Sequence, residues 1–230
     1  MGVAGDETTG RAPGVDVASV DFARVAPERL AALREVPGLT ATASDVLDEL
    51  GLRLAIPAGT LAPRAAAGPV AGHVVTLAYL PERRTPRKAL DETADPGLAH
   101  LTAFGAAAPG DVVVIDARGD ASVLGGMATH AALAAGVAGC IVDGAIRDLG
   151  EIRALGLPVW SRSVTPVTGK WRLQAVSINR PVACAGVQVR AGDLALADET
   201  GICFVPAELA GQVIERVLEV ARREAAELNL

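Results

Sequence analysis

The chain has 230 residues and a net charge of −6 at neutral pH, so a nucleic-acid or anionic-membrane surface is not expected. Half of its residues are hydrophobic but only six are aromatic, which predicts a core built mainly from Ala, Val and Leu. Its three cysteines lie singly in apolar runs, as buried thiols do in a reducing compartment. With no apolar run of membrane-spanning length and no signal peptide, the sequence predicts a cytoplasmic protein.

The first predicted elements are helices that follow an irregular amino-terminal segment. Residues 1–21 are predicted to form a flexible tail, which leaves residues 22–230 as a single domain. Apolar residues at helical spacing predict a helix that begins at Pro27. The stretch TATASDVLDELG predicts a second helix that ends at Gly51 and is capped by a hydroxyl side chain, the candidates being Thr40, Thr42 and Ser44.

Strands and helices alternate through the middle of the chain. The stretches AGHVVTLAYL, DVVVIDA, AGCIVDG and LPVWSRS predict buried strands. RRTPRK predicts a solvated loop, and helices are predicted at about residues 97–105, in GGMATHAALAAG and in DLGEIRALG. This order predicts an α/β fold with a parallel sheet flanked by helices. After residue 164, short strands indicate a β-rich layer, and the chain closes with an amphipathic helix.

Two glycines, Gly125 and Gly126, stand directly before a predicted helix. The stretch lacks the G-x-G-x-x-G order of dinucleotide-binding loops, and no phosphate-binding loop motif occurs in the chain. Exposed amides at a helix start can bind an anion such as a carboxylate. The alternative is a tight turn in which glycine is needed only for packing, and spacing alone favours that alternative.

A positive and a negative charge, Arg147 and Asp148, follow the next buried strand. Arginine can bind a carboxylate or 2-oxo acid with two hydrogen bonds, and one aspartate with waters and substrate oxygens suits Mg²⁺ or Mn²⁺. The carboxyl ends of neighbouring parallel strands meet at one crevice, so we expect this pair beside the glycines. An ordinary helix N-cap at Asp148 with Arg147 in solvent is the alternative, and the residues by themselves do not decide between the two.

The remaining candidates are weaker. The three histidines have no metal-ligand spacing, and His73 and His130 are expected to be structural. Ser161 and Ser163 lack the G-x-S-x-G setting of a hydrolase nucleophile.

The run GGMATHAALAAGVAGCIVDGAIRD, followed by EIRALGLPVWSRSVTP, closely resembles the RraA-like family. The stretches TATASDVLDELG and SINRPVACAGVQVRAGDLALADETGICFVP extend the resemblance over nearly the whole chain beyond the tail. That family includes metal-dependent 4-hydroxy-4-methyl-2-oxoglutarate aldolases, oxaloacetate decarboxylases and regulators of ribonuclease activity. Some members have been mislabelled as demethylmenaquinone methyltransferases.

The resemblance implies a swivelling β/β/α domain that assembles as a homotrimer or homohexamer with sites between subunits. It also implies that Arg147 binds the pyruvyl group and stabilises an enolate, while Asp148 holds Mg²⁺ or Mn²⁺. A neighbouring subunit's carboxyl-terminal helix would supply an acidic residue, for which Glu224 is the best match. Backbone amides of one segment would contact a 2-oxo acid substrate, the residues being Gly125, Gly126, Met127 and Ala128.

Two positions depart from the family pattern. Related aldolases carry Asp or Glu where this chain has Gly126, which puts proton transfer in doubt. Trp171 stands where relatives often have glycine, and it either reshapes the pocket or fills a surface gap. The leading hypothesis is therefore a metal-dependent carbon–carbon lyase acting on a pyruvyl-containing acid. The alternatives are a non-catalytic oligomeric binding or regulatory protein, and a relative recruited to a specialised pathway on an unusual acid.

Overall fold

The computed structural model describes residues 14–65, 68–93 and 95–228. The helices in these segments are α1 Pro27–Arg34, α2 Leu39–Glu49, α3 Pro86–Glu92, α4 His100–Ala106, α5 Gly126–Ala134, α6 Leu149–Leu155 and α7 Ala210–Glu227. The strands are β1 Asp16–Val17, β2 Ala55–Pro57, β3 Ala62–Ala65, β4 Val70–Pro81, β5 Val112–Leu124, β6 Gly139–Ile146, β7 Val159–Val164, β8 Leu173–Ile178, β9 Val182–Cys184, β10 Val187–Val189, β11 Leu194–Ala197 and β12 Gly201–Val205.

Four parallel strands form the middle of the sheet, in the order β4-β5-β6-β7. The crossover from β5 to β6 contains α5, and the crossover from β6 to β7 contains α6. Every residue of β6 is buried, because its side chains enter an apolar core on each face of the sheet. Apolar side chains of α4, α5 and α6 pack on this part of the sheet in one continuous core. The predicted parallel sheet with flanking helices is thus confirmed.

The predicted β-rich region is joined to the same sheet through β4. The first four residues of β4 pair antiparallel with β11, and its last five pair antiparallel with β8. Strands β12 and β2 extend the sheet beyond β11, whereas β9 and β10 form a separate hairpin. A strand of 12 residues is long enough to carry different partners along its two halves. The result is a mixed ten-stranded sheet.

A second core lies between α1, α2, α7 and the antiparallel strands β11 and β12. Thr40 is buried there, and its backbone N–H and hydroxyl both donate to the carboxylate of Asp198. The three cysteines are free and buried, as predicted. Burial raises the pKa of Cys140 to about 12. These thiols therefore act as small apolar side chains.

Three predictions of local structure need correction. Residues 1–13 of the predicted tail lie outside the described residues, but Asp16 and Val17 form a strand paired with β8, anchored by an ion pair from Arg180 to Asp16. Gly38, and not a hydroxyl residue, stands at the N-cap of α2, since Thr40 and Thr42 already lie within the helix. The stretch RRTPRK is predicted to be a loop throughout, but α3 begins within it at Pro86.

None of the helices in the described segments is long and apolar enough to cross a bilayer.

Candidate functional site

The register of two parallel strands brings the predicted site residues together. Leu124 and Ile146 are partners at the carboxyl ends of β5 and β6. One residue further along, the backbone N–H of Arg147 donates to the carbonyl oxygen of Leu124 at 2.9 Å. Gly125 therefore lies against Arg147, as expected for the ends of neighbouring parallel strands.

A side chain at either glycine would have to displace a charged side chain. A Cβ on Gly125 would lie 2.6 Å from Oδ2 of Asp148 and 3.1 Å from Cγ of Arg147. A Cβ on Gly126 would overlap the carboxylate of Glu151. Glycine at both positions therefore lets charged side chains of the candidate site pack against the start of α5, and the anion site stays a prediction.

Asp148 occupies the N-cap position of α6 but does not cap that helix with its side chain. Its backbone is left-handed, with φ of 53°, a conformation that Asp tolerates better than most residues. This turns the carboxylate towards α5, where Oδ2 accepts a hydrogen bond of 3.1 Å from the N–H of Gly126. Oδ2 also lies 3.5 Å from Nε of Arg147. The ordinary N-cap alternative is therefore incorrect.

All six of the site residues predicted on β5, α5 and the β6 end line one cavity of about 250 Å³. Arg147 and Asp148 are each partly exposed, with 38% and 43% of their side chains accessible. Met127 is 85% exposed at the rim. The full lining comprises Leu98, His100, Ser122, Val123, Leu124, Gly125, Gly126, Met127, Ala128, Arg147, Asp148, Thr168 and Lys170.

Sequence patterns did not identify Lys170 as a site residue. An isolated bridge pairs Ser122 with Thr168, and the N–H of Ser122 donates to the carbonyl of Val167 at 2.9 Å. These contacts dock the loop after β7 on the end of β5 and bring Lys170 to the cavity wall. A loop docked by tertiary contacts leaves no periodic signal in the sequence.

His100 is the second cavity residue that sequence analysis did not single out. It begins α4, where the hydroxyl of Tyr79 accepts a hydrogen bond from the neighbouring N–H of Ala99 at 3.0 Å. Within the described part of the chain, the buried Nδ1 of His100 has no hydrogen-bond partner. Burial, and after it the positive charge of Lys170, lower the pKa of His100, so its ring is neutral at neutral pH.

The cavity has the features of an anion site. The N–H groups of Met127 and Ala128 lie in the first turn of α5, where an α-helix provides no carbonyl acceptors for them. The positive end of the helix dipole and two cationic side chains, Arg147 and Lys170, border the same space. A carboxylate of a small ligand would be matched by these donors.

A metal ion at this site would find one protein carboxylate, that of Asp148. In the described segments, no group of three or more His, Cys, Asp or Glu side chains is arranged to hold a metal. Such a donor set does not fit a zinc or calcium cage, but it fits Mg²⁺ or Mn²⁺ that keeps most ligands as water and substrate oxygens. Asp148, half in solvent, leaves room for that hydration.

Two other predicted positions lie away from the cavity. Glu224 is in α7, a helix that packs on α1 and α2, so it does not reach this chain's own cavity lining. Trp171 has φ of 58° and lines a separate cavity of about 250 Å³ with Glu82 and Arg84. A contribution of Glu224 from a neighbouring subunit stays a prediction.

The family profile of RraA-like proteins, described as Aldolase/RraA, matches residues 40–204. The chain belongs to the RraA-like family. The match includes β5, α5, β6 and α6, and so contains the whole strand-end arrangement of Gly125, Gly126, Arg147 and Asp148.

Named relatives within the family include aldolases. The chain is 38% identical over 144 residues to a putative 4-hydroxy-4-methyl-2-oxoglutarate aldolase of Halalkalibacterium halodurans, a match covering 62% of this chain and 66% of the relative. It is 30% identical over 138 residues to the 4-hydroxy-4-methyl-2-oxoglutarate aldolase of Thermus thermophilus, covering 59% and 75%. The match to the Halalkalibacterium halodurans protein thus spans slightly less than two thirds of that protein's length.

A solved structure in the family covers more of the chain. It is a Streptomyces coelicolor protein described as an unusual member of the RNase ES inhibitor RraA family, with 29% identity and a TM-score of 0.73. The superposition covers 90% of this chain and 98% of that one. The RraA-like fold therefore includes the strands and helices outside the matched profile.

Proposed function

We propose that this RraA-like protein is a divalent-metal-dependent lyase that cleaves a carbon–carbon bond in a pyruvyl-containing 2-oxo acid. Candidate substrates are 4-hydroxy-4-methyl-2-oxoglutarate and oxaloacetate. The observation that carries the proposal is the meeting of Arg147, Asp148 and the amides of the α5 start in one cavity. The names of the aldolases to which the chain is similar support the same class of reaction.

The residues divide into two roles. The guanidinium of Arg147 and the amides of Met127 and Ala128 bind and orient the carboxylate and 2-oxo group. Asp148 would hold Mg²⁺ or Mn²⁺ together with water and substrate oxygens, and the bound cation would supply a Lewis acid for the 2-oxo group and for the enolate charge. The guanidinium of Arg147 borders the same cavity and would also stabilise that developing charge.

The proposal includes a homotrimer or homohexamer in the cytoplasm. Glu224 lies on α7, outside this chain's own cavity, so it would act at a neighbouring subunit's site. The assembly would then close the exposed rim of the cavity at Met127 and exclude water from the enolate.

The deciding experiment measures pyruvate release from both acids with Mg²⁺ or Mn²⁺, with EDTA, and without enzyme. We expect metal-dependent release well above the no-enzyme rate and its loss in Asp148→Ala. Oxalate mimics the pyruvate enolate. Calorimetric titration of oxalate into the protein in the presence of Mn²⁺ should show binding to the wild type and none to the variant. Equal release with and without enzyme for both acids would refute these two candidate substrates, and the absence of metal-dependent oxalate binding in addition would refute the lyase.

A second candidate function is a non-catalytic oligomeric regulator. The full-length similarity to a protein described as belonging to the RNase ES inhibitor family favours it. Under this alternative, Asp148→Ala would leave the binding activity intact, because a protein-binding surface has no requirement for a metal-holding carboxylate. A lyase relative specialised for another acid would instead bind oxalate with metal but cleave neither test acid.

A further inference from the structure

The carboxylate of Glu151 occupies the space above Gly126. Glu151 lies in the first turn of α6, and a Cβ added to Gly126 would overlap all three atoms of its carboxylate group. On its other side, Oε1 of Glu151 lies 3.3 Å from Nε2 of His130, which is one turn further along α5. The carboxylate is thus held against the start of α5, where an acidic side chain at position 126 would otherwise begin.

This carboxylate borders the candidate site. Gly126 lines the cavity, and its N–H donates to Asp148, so Glu151 and Asp148 contact the same residue from two directions. The side chain of Glu151 is 49% exposed, which leaves it accessible to water. A water molecule next to Gly126 can therefore connect Glu151 with a ligand in the cavity.

Cleavage of a 4-hydroxy-2-oxo acid needs a proton acceptor at this place. The proton of the 4-hydroxyl must leave as the C3–C4 bond breaks and the C4 carbonyl forms. The electron pair of that bond becomes the enolate of pyruvate, whose C3 then takes a proton back. Of the nearby groups, Arg147 and Lys170 are donors without acceptor atoms, and Asp148 is committed to the cation. Within this chain, Glu151 and the neutral ring of His100 remain, and Glu224 of a neighbouring subunit is the third candidate in the proposed assembly.

The location of Glu151 favours it over His100. Its carboxylate lies at the first turn of α5, the turn whose amides hold the substrate carboxylate in the proposed function. His100 lines the cavity from α4, but its Nδ1 is buried, whereas the carboxylate of Glu151 is half exposed at the edge of the cavity. Resting on the proposed function, we propose that Glu151 accepts the hydroxyl proton through one water molecule and returns it to C3. The absence of a side chain at Gly126 makes room for this carboxylate.

The proposal separates two reactions of the same site. Decarboxylation of oxaloacetate breaks the C3–C4 bond with loss of CO₂ and needs no removal of a proton beforehand. Retro-aldol cleavage of 4-hydroxy-4-methyl-2-oxoglutarate does need it. General-base catalysis contributes about 10²- to 10⁴-fold, so Glu151→Ala should lower kcat for retro-aldol cleavage by about 100-fold or more. Metal-dependent decarboxylation should change by less than about 5-fold in the same variant.

The test is relocation of the carboxylate. Wild type, Glu151→Ala and the double variant Gly126→Glu/Glu151→Ala are assayed on both acids, with thermal unfolding and calorimetric oxalate binding as checks on fold and cavity. We expect the double variant to recover at least about 10-fold of the kcat lost in Glu151→Ala, with KM and oxalate binding little changed. Recovery by relocation is not expected if Glu151 only joins α5 to α6 through His130.

Several results would overturn the proposal. The first is retention of retro-aldol cleavage within about 3-fold of wild type in Glu151→Ala, or an equal loss of both reactions in that variant. The second is selective loss of retro-aldol cleavage in Glu224→Ala or His100→Phe but not in Glu151→Ala. In each case the wild type and Asp148→Ala still report on the lyase itself. A wild type that acts on neither acid refutes both candidate substrates and, with them, the role of Glu151 in their cleavage, while metal-dependent oxalate binding reports separately on the lyase.

Discussion

The imidazole of His73 accepts a hydrogen bond from the backbone N–H of Val25, with 2.9 Å between the two nitrogens. Its other nitrogen, Nδ1, lies 2.9 Å from the carbonyl oxygen of Gly192. These two contacts require the neutral ring with its proton on Nδ1, because a protonated Nε2 cannot accept. His73 thereby joins the segment before α1 to β4 and to the turn before β11, as its predicted structural role requires.

This arrangement predicts acid-sensitive stability. Burial lowers the pKa of His73 below the ordinary value of about 6.5, so the unfolded chain binds the proton more readily than the folded one. The stabilising contribution is complete above pH 6.5 and is lost as the pH falls towards the folded-state pKa, with a slope of at most about 1.4 kcal/mol per pH unit. Urea unfolding of wild type and His73→Gln from pH 7.5 to 5 should show a steeper loss for wild type. Parallel curves would contradict this.

Substitution of Arg147 by lysine should remove most of the proposed activity. Lysine keeps the charge but lacks the planar fork that binds a carboxylate with two hydrogen bonds. We expect Arg147→Lys to lower kcat/KM for oxaloacetate by about 10- to 100-fold, equivalent to the loss of one charge-assisted hydrogen bond. Arg153→Lys, on the neighbouring helix α6, is the matched control and should change kcat/KM by less than about 2-fold. Equal effects in the two variants would exclude a bidentate role.

A methyl group at Gly125 should disturb the site without unfolding the protein. The new Cβ would lie 2.6 Å from Oδ2 of Asp148, so the carboxylate must move away from the start of α5. We expect Gly125→Ala to weaken Mn²⁺-dependent oxalate binding by at least about 10-fold in calorimetry. Gly211→Ala is the control, because a Cβ there meets no atom of the described residues within 4 Å. Unchanged oxalate binding in Gly125→Ala would show that Asp148 does not need this position.

The buried carboxylate of Asp143 should contribute strongly to stability. It is fully inaccessible, lies 2.5 Å from Nη2 of Arg162 and accepts the N–H of Ala185 at 2.7 Å. Removing it leaves these donors unpaired, so Asp143→Ala should lower the free energy of unfolding by roughly 2–4 kcal/mol. Asp16→Ala breaks an exposed ion pair with Arg180 and should cost less than about 1 kcal/mol. Urea unfolding at pH 7 compares the two; similar losses would contradict the prediction.

The central part of the candidate site was predictable because the rule that places it is local. Gly125 and Arg147 follow the carboxyl ends of two adjacent parallel strands, and the strand register places the two residues next to each other. Lys170 and Glu151 were missed for a different reason. Lys170 lies on a loop that contacts Ser122, and the carboxylate of Glu151 occupies the space left by the missing side chain at Gly126. Neither contact produces a repeating pattern in the sequence.

The sequence spacing around Glu151 predicts a different position for its side chain from the one in the structure. Asp148 and Glu151 have the three-residue spacing of a capping box, which predicts that both side chains bind the start of their own helix. The left-handed backbone of Asp148 instead turns its carboxylate to the start of α5, and the carboxylate of Glu151 lies there too. Spacing along one helix does not reveal a neighbouring helix that offers a better partner.

The shared strand β4 also sets an order for folding during synthesis. Its first residues, Val70–His73, pair with Leu194–Ala197, more than 120 positions later in the chain. Helices α1 and α2 pack on α7, which is synthesised after all the strands of the sheet. While the ribosome is still adding the carboxyl-terminal third, the apolar faces of α1 and α2 have no cover. A nascent chain stalled before residue 194 should therefore expose these helices to chaperones, although β4, β5, β6 and β7 are already complete.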